Sequence, residues 1–387
     1  MPDESNLENH KKKYVIYGAG IAMLVLALAA LAPAIKTHLQ ALAVLKQASG
    51  EHVPWIVGEA ASHPVTITET KIITPSGTLH ARLYTPVDRP NAPGLVLLHG
   101  VHYLGMDEPR LMVFAQALAS CGLRVLTPEL PGIKEYRVDE ASIRAIGESA
   151  QWFTQQTGKP VGVMGLSFSG GLALVAAGRP QYAPSIKFVF AVGSQDSMAR
   201  VAKYYRTGKE IRPDGTTQVL PAHEYGPLVL EYEHLEDFVP AADVAAIRTV
   251  LQSHLYEDPR AEASAMAQLT PQQKTEALDL MNPHSERTLL LLEQSANKHA
   301  AEMQGLSPQN KLKTLSIPVF LLHGEADNII PSAETLWMAS ELRPDVLQAV
   351  LLSPVLSHLD VNGKGPGAMD EWRLVHFLAG VVRMAEK

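Results

Sequence analysis

The sequence has very little cysteine, few aromatic residues and no excess of positive charge. Of its 387 residues only Cys121 is a cysteine, and aromatic residues make up 6%. One cysteine excludes a disulfide framework within the chain. Cys121 lies in an apolar, helix-like stretch, which predicts a buried and inert thiol. The net charge of −7 provides no basic surface for nucleic acid, so no nucleic-acid partner is expected.

Motifs for metals and cofactors are also missing from the sequence. It has no His and Cys cluster at zinc-ligand spacing, and no Gly-rich phosphate loop followed by Lys. We therefore expect neither a metal nor an organic cofactor. Hydrophobic residues make up 46% and charged residues 19%, which is the composition of a globular chain rather than a disordered one.

One long apolar run is present, near the N-terminus, where residues 14–35 carry no charge. About 20 such residues span the hydrocarbon core of a bilayer as a helix. Lysines at 11–13 directly precede the run, so the positive-inside rule predicts a cytoplasmic tail at 1–13. The protein would then be a single-pass membrane protein with the rest of the chain extracytoplasmic, or periplasmic in a bacterium. A cleaved signal peptide is the alternative, since Ala-Pro-Ala at 32–34 resembles a cleavage site.

Beyond the apolar run, short apolar strands alternate with helical segments. Two β-rich runs around Pro75-Ser76-Gly77 indicate a hairpin. The later strands are apolar throughout, which predicts an α/β fold with a mostly parallel sheet covered by helices on both faces. One long stretch of helices and polar turns, at 198–312, interrupts the alternation of strands and helices. The predicted organisation is a juxtamembrane helix and linker at 36–64, an α/β core at 65–197 and 313–387, and an inserted helical cap at 198–312.

Ser167 lies where an apolar strand, 161–164, turns directly into a helix. A serine exposed on such a turn needs small residues two positions to either side, because the backbone folds sharply there. Ser167 has Gly165 before it but Ser169 after it, so the G-x-S-x-G pattern is incomplete. Ser169 is the rival nucleophile, but it falls too far into the helix. We therefore predict Ser167 as the nucleophile.

Two further residues, each directly after an apolar strand, complete a triad with this serine. A serine hydroxyl is a weak nucleophile until a base removes its proton. On this kind of sheet the expected chain order is Ser, then an acid, then His. Asp327 and His358 fit that order, so we predict His358 as the general base and Asp327 as the acid that orients it. Two rival acids remain open, Asp196 and the weaker Glu325.

Two backbone N–H groups are predicted to stabilise the negative charge that develops on the substrate oxygen. One belongs to Phe168, directly after the nucleophile, and the other to Val101, in the loop after the strand at 94–98. His102 and Tyr103 in the same loop are candidates for substrate contact, with a covering role as the alternative. His99 is expected to anchor the loop.

These motifs together resemble the α/β-hydrolase superfamily, over about residues 65–387. The resemblance rests on Leu-Leu-His99-Gly100, Leu-Pro131-Gly132, Gly165-Leu-Ser167-Phe-Ser169-Gly170-Gly171-Leu-Ala-Leu, His323-Gly-Glu-Ala-Asp327 and Ser357-His358. Ser169 in place of glycine, and the absence of a glycine run after His99, leave the subfamily open.

The resemblance implies an α/β-hydrolase fold and hydrolysis through an acyl-enzyme. We expect a carboxylic ester as the substrate, either a small molecule or a lipid-like compound. The predicted anchor hints at lipid-like substrates through location alone. Two other possibilities remain: an amidase, peptidase or thioesterase of the same fold, and a non-catalytic binding protein that keeps the fold. Nothing in the sequence indicates an oligomeric state.

Overall fold

The computed structural model describes Tyr17 and residues 31–356 and 367–387. These residues form a main sheet of eight strands and a separate pair of short strands. In chain order the strands are β1 (Val65–Thr74), β2 (Gly77–Pro86), β3 (Gly94–Leu98), β4 (Arg124–Pro128), β5 (Val161–Leu166), β6 (Ile186–Val192), β7 (Lys209–Ile211), β8 (Thr217–Val219), β9 (Val319–Gly324) and β10 (Leu347–Ser353).

The main sheet is mostly parallel, as the sequence predicts, and that prediction is confirmed. Its order is β1-β2-β4-β3-β5-β6-β9-β10, while β7 pairs with β8. Strand β2 runs antiparallel to β1 and β4, and the other neighbouring pairs are parallel. The carboxyl ends of β3, β5, β6 and β9 therefore meet at one edge of the sheet, which is where ligands bind in open α/β folds.

Helices cover both faces of this sheet, and further helices form an insertion between β6 and β9. They are α1 (31–48), α2 (Trp55–Glu59), α3 (Pro109–Ser120), α4 (Pro131–Lys134), α5 (Glu140–Thr157), α6 (Phe168–Ala177), α7 (Met198–Thr207), α8 (Tyr225–Glu233), α9 (Val244–Leu255), α10 (Pro259–Gln268), α11 (Pro271–Leu280), α12 (Glu286–Lys298), α13 (Ala300–Leu306), α14 (Ala333–Glu341) and α15 (Ala368–Glu386).

The two cores arise because successive side chains of a strand point to opposite faces. In β3, Val96 and Leu98 pack in one core with α5 and α6. Leu95 and Leu97 pack in the other core with α1, α3 and α15. Every residue of β3 is buried, as expected for a central strand of a parallel sheet that is covered on both sides.

Helix α1 is part of the second core. Ala41, Ala43 and Val44 are buried in the same cluster as the sheet, and the Gln40 side chain donates a hydrogen bond of 2.7 Å to the Cys121 carbonyl. Sequence analysis treats 36–64 as a juxtamembrane helix and linker outside the α/β core, whereas the structure packs this helix onto it. Cys121 is buried, and burial raises the pKa of its thiol to about 12, in keeping with an inert group.

The predicted membrane span and tail fall almost entirely outside the described residues. Of the run at 14–35 only Tyr17 and 31–35 are described, and the tail at 1–13 is not. Within the part of the chain that the structure describes, no helix is long and apolar enough to cross a bilayer. The anchor and its topology therefore stay predictions.

The insertion between β6 and β9 contains helices α7 to α13 and the small antiparallel pair β7–β8. Its first helix begins at Met198, and a 3-10 turn at Leu312–Thr314 leads back to the sheet. Sequence analysis predicts a helical cap here and does not predict this strand pair. Strands of three residues are too short to show the alternation that identifies a strand in a sequence.

Candidate active site

Ser167 occupies a sharp turn between β5 and α6. Its backbone has φ 55° and ψ −137°, a conformation that residues other than glycine rarely adopt. Two backbone hydrogen bonds hold it there: its N–H donates to the Val192 carbonyl at 2.8 Å, and its carbonyl accepts from Gly170 at 3.0 Å. The side chain stays partly exposed at the amino end of α6. A serine that is strained and partly exposed in this way has the geometry of a nucleophile elbow, the sharp strand-to-helix turn that carries the reacting side chain.

Close packing around the turn explains the small residues beside Ser167. A Cβ at Gly165 would lie 2.5 Å from backbone atoms of Gly170, so no side chain fits where strand and helix cross. The rival Ser169 is fully buried, and its hydroxyl donates a 2.6 Å hydrogen bond to the His99 carbonyl. Ser169 thus ties the helix to the neighbouring loop, and the geometry favours Ser167 as the nucleophile.

The loop that carries Val101 lies directly against the serine. A Cβ at Gly100 would lie 3.3 Å from the Ser167 Cβ. His99 anchors this loop: its Nε2 accepts from the Leu130 N–H at 2.9 Å, and its Nδ1 therefore donates to the Gly100 carbonyl at 2.8 Å. Burial lowers the pKa of His99 to about 4, which keeps the ring neutral in this role.

The second predicted donor, Phe168, is the first residue of α6 and is buried. The amino end of a helix carries partial positive charge, so it favours a developing anion. Val101 and Phe168 thus flank Ser167 on two sides, one on the loop after β3 and one on α6. The arrangement is suited to stabilising an oxyanion formed at the serine, although their roles remain predictions.

Asp327 lies in the loop between β9 and α14 and is almost fully buried. Its Oδ1 accepts hydrogen bonds from the N–H groups of Ile329 at 2.9 Å and Ile330 at 3.1 Å. Its Oδ2 is 3.3 Å from Nε2 of His323, a buried histidine on β9. These contacts fix the orientation of the carboxylate, which the acid of a triad requires.

The rival acid Asp196 is engaged in a buried charge network. Its Oδ2 lies 2.7 Å from the Arg200 guanidinium, which also contacts Glu334 at 2.6 Å. Burial, with the Glu334 charge second, raises the pKa of Asp196 to about 7. A carboxyl held by arginine in this way has a structural partner already. The other rival, Glu325, is exposed.

His358, the predicted base, lies outside the described residues. The chain is described as far as Leu356, and it passes close to the acid loop there: a Cβ at Gly324 would come within 2.5 Å of the Leu356 carbonyl. The N–H of Glu325 also donates to the Ser353 carbonyl at 3.0 Å. The described chain up to Leu356 therefore runs beside the loop after β9 that carries Asp327.

The insertion covers this edge of the sheet. The Tyr225 hydroxyl donates a 2.7 Å hydrogen bond to the Val101 carbonyl, at the predicted oxyanion loop. On the other side, the His223 N–H and the Tyr204 hydroxyl donate to the Asn328 carbonyl at 2.9 and 3.2 Å, next to Asp327. The cap is thereby attached to both loops around Ser167.

The candidate substrate residues His102 and Tyr103 lie at the boundary between core and cap. Their rings stack with centroids 4.7 Å apart, and Tyr103 stacks in turn on Tyr256 of the cap at 5.1 Å. Tyr103 borders an open cleft of about 510 Å³ whose other walls come from residues 252–261. Tyr103 thus lines a cleft between core and cap, and His102 packs against it; contact of either residue with substrate stays a prediction.

Sequence reasoning missed Tyr136, which joins the core to the cap. The Tyr136 hydroxyl donates to the Leu255 carbonyl at 2.6 Å, and its ring packs edge-on against Tyr225. Three neighbouring cap residues are also buried: Leu228, Tyr232 and Phe238. No sequence signal distinguishes Tyr225, which reaches the Val101 loop, from these neighbours, because the distinction depends on the fold of the cap.

A comparison with protein families matches residues 123–356 to the X-Pro dipeptidyl-peptidase (S15 family). The matched segment contains Ser167 and Asp327 and ends just before His358. No curated protein sequence matches the chain.

Many solved structures are similar to this one at low sequence identity. Brefeldin A esterase, a bacterial homologue of human hormone sensitive lipase, is 15% identical, with coverage of 92% of this chain and 85% of the esterase and a TM-score of 0.48. A Pyrobaculum calidifontis esterase is 16% identical, with coverage of 86% and 90% and a TM-score of 0.46. An acylaminoacyl peptidase in complex with Z-Gly-Gly-Phe-chloromethyl ketone is 13% identical, with a TM-score of 0.45.

This chain spans only 40% of the length of that acylaminoacyl peptidase, although 81% of this chain is covered. Similarities at these levels do not determine an activity. The family match is different in kind, because it extends over more than half of the 387 residues and includes the elbow and the acid loop. It supports the resemblance to the α/β-hydrolase superfamily and a hydrolase of the serine type. The chain belongs to the X-Pro dipeptidyl-peptidase family, S15.

Proposed function

We propose that this protein is a serine peptidase that hydrolyses amide bonds, with Ser167, His358 and Asp327 as its triad. The observation that carries the proposal is the strained, partly exposed Ser167 within a segment matched to a peptidase family. Sequence analysis favours a carboxylic ester as substrate and keeps amide cleavage as the alternative. Family membership favours the alternative.

The proposed reaction has two steps, and His358 moves a proton in each. His358 takes the proton of Ser167 as the hydroxyl oxygen attacks the peptide carbonyl carbon. The N–H groups of Phe168 and Val101 stabilise the oxyanion. When the C–N bond breaks, His358 gives its proton to the departing amine, which leaves an acyl-enzyme. Asp327 stabilises the charged imidazole throughout, without accepting the proton.

The second step releases the acid. His358 removes a proton from water, which attacks the ester carbon of the acyl-enzyme, and then returns the proton to the Ser167 oxygen as the C–O bond breaks. An amide is harder to cleave than an ester because its amine must be protonated before it leaves. A firmly oriented His358 therefore matters more for a peptidase, and the hydrogen bonds that fix Asp327 support that requirement.

We further propose, from the family description, a dipeptide with proline in second position as the acyl group. The test compares Gly-Pro-p-nitroanilide and Ala-Pro-p-nitroanilide with Gly-Ala-p-nitroanilide and with p-nitrophenyl butyrate. Release of p-nitroaniline from the proline substrates at a higher kcat/KM than from Gly-Ala-p-nitroanilide is the expected result. Turnover of the butyrate ester alone would restore the ester assignment.

A fluorophosphonate probe separates an enzyme from a non-catalytic relative of the same fold, because labelling needs an activated serine. We expect the full chain to be labelled, Ser167→Ala not to be labelled, and Ser169→Ala to be labelled like the parent. Absence of labelling in the parent chain would favour a binding protein. Labelling that persists in Ser167→Ala but is lost in Ser169→Ala would make Ser169 the nucleophile.

The location of the protein is a separate proposal that rests on the apolar run at 14–35 and the lysines at 11–13. We propose a single-pass anchor with the hydrolase outside the cytoplasm, where a lipid-like or peptide substrate would be met. A reporter fused after residue 387 is expected to be active only on the extracytoplasmic side. A mature chain beginning near residue 35 would instead indicate a cleaved signal peptide.

A further inference from the structure

Two histidines and a glutamate converge within the cap, in a place that the proposed peptidase reaction does not use. His234 directly follows α8, His299 joins α12 to α13, and Glu302 lies in the first turn of α13. One ligand atom from each lies within 4.8 Å of the others. The two imidazole rings stack, with centroids 3.7 Å apart.

The distances among these ligand atoms suit a small divalent ion. His299 Nδ1 is 3.4 Å from Glu302 Oε2, and His234 Nε2 is 3.8 Å from the same oxygen. A tetrahedral zinc ion with bonds of about 2.0–2.1 Å places its ligand atoms about 3.3 Å apart. The rings are nearly parallel, so coordination requires one imidazole to tilt until both nitrogen lone pairs point to a common centre. Both histidines are only partly buried, which leaves room for that rotation.

A carboxylate behind His299 sets the orientation of its ring. His299 Nε2 lies 2.9 Å from Asp237 Oδ2, and the same oxygen accepts a 2.9 Å hydrogen bond from the Ser295 hydroxyl. Lys298 pairs with the other carboxylate oxygen. Because Nε2 donates to Asp237, the lone pair of the neutral ring lies on Nδ1, which faces Glu302. Histidines that bind metals commonly donate their second nitrogen to a carboxylate in this way.

We propose that His234, His299 and Glu302 bind a zinc ion, with solvent completing the coordination. Two imidazole nitrogens and one carboxylate are a ligand set that zinc favours, whereas magnesium and calcium prefer oxygen ligands. Sequence analysis expects no metal because the two histidines are far apart in the chain and show no zinc-ligand spacing. The tertiary fold of the cap brings them together.

Such an ion has a mechanical consequence for the cap. It links the end of α8 to the junction of α12 and α13. Helix α8 begins at Tyr225, whose hydroxyl holds the Val101 carbonyl. Zinc would therefore stabilise the cap by binding the folded state in preference to the unfolded one. This role is independent of the triad, so it stands or falls separately from the peptidase assignment.

The test is calorimetric titration of the full, EDTA-treated and dialysed chain with zinc sulfate, with magnesium chloride as the parallel titration. We expect one zinc site and no magnesium binding. His234→Asn and His299→Asn should each lose the site, and Asp237→Asn should weaken it by about 10-fold through the orientation of His299. Ser167→Ala should bind zinc like the parent chain.

His254→Asn is the matched control, because His254 is another cap histidine beside a carboxylate, 3.1 Å from Glu262. It should keep parent affinity and the rise in thermal unfolding temperature with zinc, while His234→Asn loses both. Glu302→Gln, at a more exposed position, supplies a second variant if a histidine variant fails to fold. Absence of zinc binding in the parent, equal binding of magnesium, or parent affinity in both His299→Asn and Glu302→Gln would overturn the proposal.

Discussion

The elbow and the cap are held in place by different kinds of contact. At the elbow, most of the geometry comes from residues close in the chain: Gly165 and Gly170 let β5 and α6 cross, and Ser167 takes the strained turn between them. One bond from farther away, to the Val192 carbonyl, also holds the turn. In the cap, contacts between distant parts of the chain decide the position, such as Tyr225 with Val101. The elbow is therefore a local device, whereas the cap is positioned by contacts between distant parts of the chain: hydrogen bonds, stacked rings and the buried apolar cluster that it shares with the sheet.

This difference has a consequence for mutations. Changes at the elbow should remove activity and leave the rest of the molecule intact, because the strain is confined to a few residues. Changes where the cap meets the core should act in a graded way, since several contacts share the task. The following predictions test that distinction, beginning with the largest effect.

The largest effect is expected at the elbow, for Ser167→Ala. Loss of the nucleophile should lower kcat on a cleaved substrate by about 10⁶-fold, as in triads that have been dissected. His358→Ala should be similar, and the double variant should be little worse than either, because the residues act as one unit. The measurement is kcat with circular dichroism as a check of folding.

Ser169→Ala is the control for that prediction. It removes the 2.6 Å hydrogen bond to the His99 carbonyl but no reacting atom. Most of the activity should remain, with a loss of stability of about 1 kcal/mol. Equal inactivation by the two serine changes would mean that the elbow is not a local device.

The next effect is expected at the acid, for Asp327→Asn. The amide keeps the shape of the side chain but no longer stabilises a charged imidazole, so kcat should fall by about 10⁴-fold. Asp196→Asn, which breaks the contact with Arg200, should lower the unfolding temperature and leave kcat within a small factor. The reverse pattern would identify Asp196 as the acid.

His99 should make the stability of the core depend on pH. Its pKa is about 4 in the folded protein against an ordinary 6.5, so the unfolded chain binds a proton that the folded one does not between these values. The stability that this group contributes is therefore fully present above pH 6.5. As the pH falls from 6.5 towards 4, the free energy of unfolding should decrease by about 3 kcal/mol. Urea unfolding from pH 7 to 4 measures it. His99→Gln should show a shallower dependence, and an unchanged slope would contradict the assignment.

The smallest effect is expected where cap and core meet, for Tyr225→Phe. Burial raises the pKa of Tyr225, so its hydroxyl stays protonated and donates to the Val101 carbonyl. Its loss should loosen the predicted oxyanion loop and lower kcat by about 10-fold, equivalent to one hydrogen bond, with KM changed less.

Tyr205→Phe is the matched control, because the Tyr205 hydroxyl is buried without a hydrogen-bond partner in the described part of the chain. It should leave kcat unchanged and keep or raise the unfolding temperature, since an unsatisfied polar group is removed. If both tyrosine changes act alike, the Val101 contact has no part in catalysis.

Much of the fold could be predicted because the apolar strands are short and bounded by turn residues. The sequence predicts that β5 ends at residue 164, whereas it extends to Leu166. The extension includes Gly165, which pairs with Leu98 of β3 and Ala191 of β6. Neighbouring strands supply those hydrogen bonds, so the hydrophobicity of β5 alone gives no sign of them.

The sequence by itself determined the elbow, the strand–helix alternation and the candidate residues Ser167 and Asp327, because backbone sterics and local hydrophobic patterns act over a few residues. Only the tertiary structure decided that α1 packs onto the sheet, that Ser169 bonds to His99, that Tyr225 holds the Val101 loop, and that His234 meets His299. Each of these contacts joins distant parts of the chain, and its geometry depends on how whole elements pack rather than on the residues beside it.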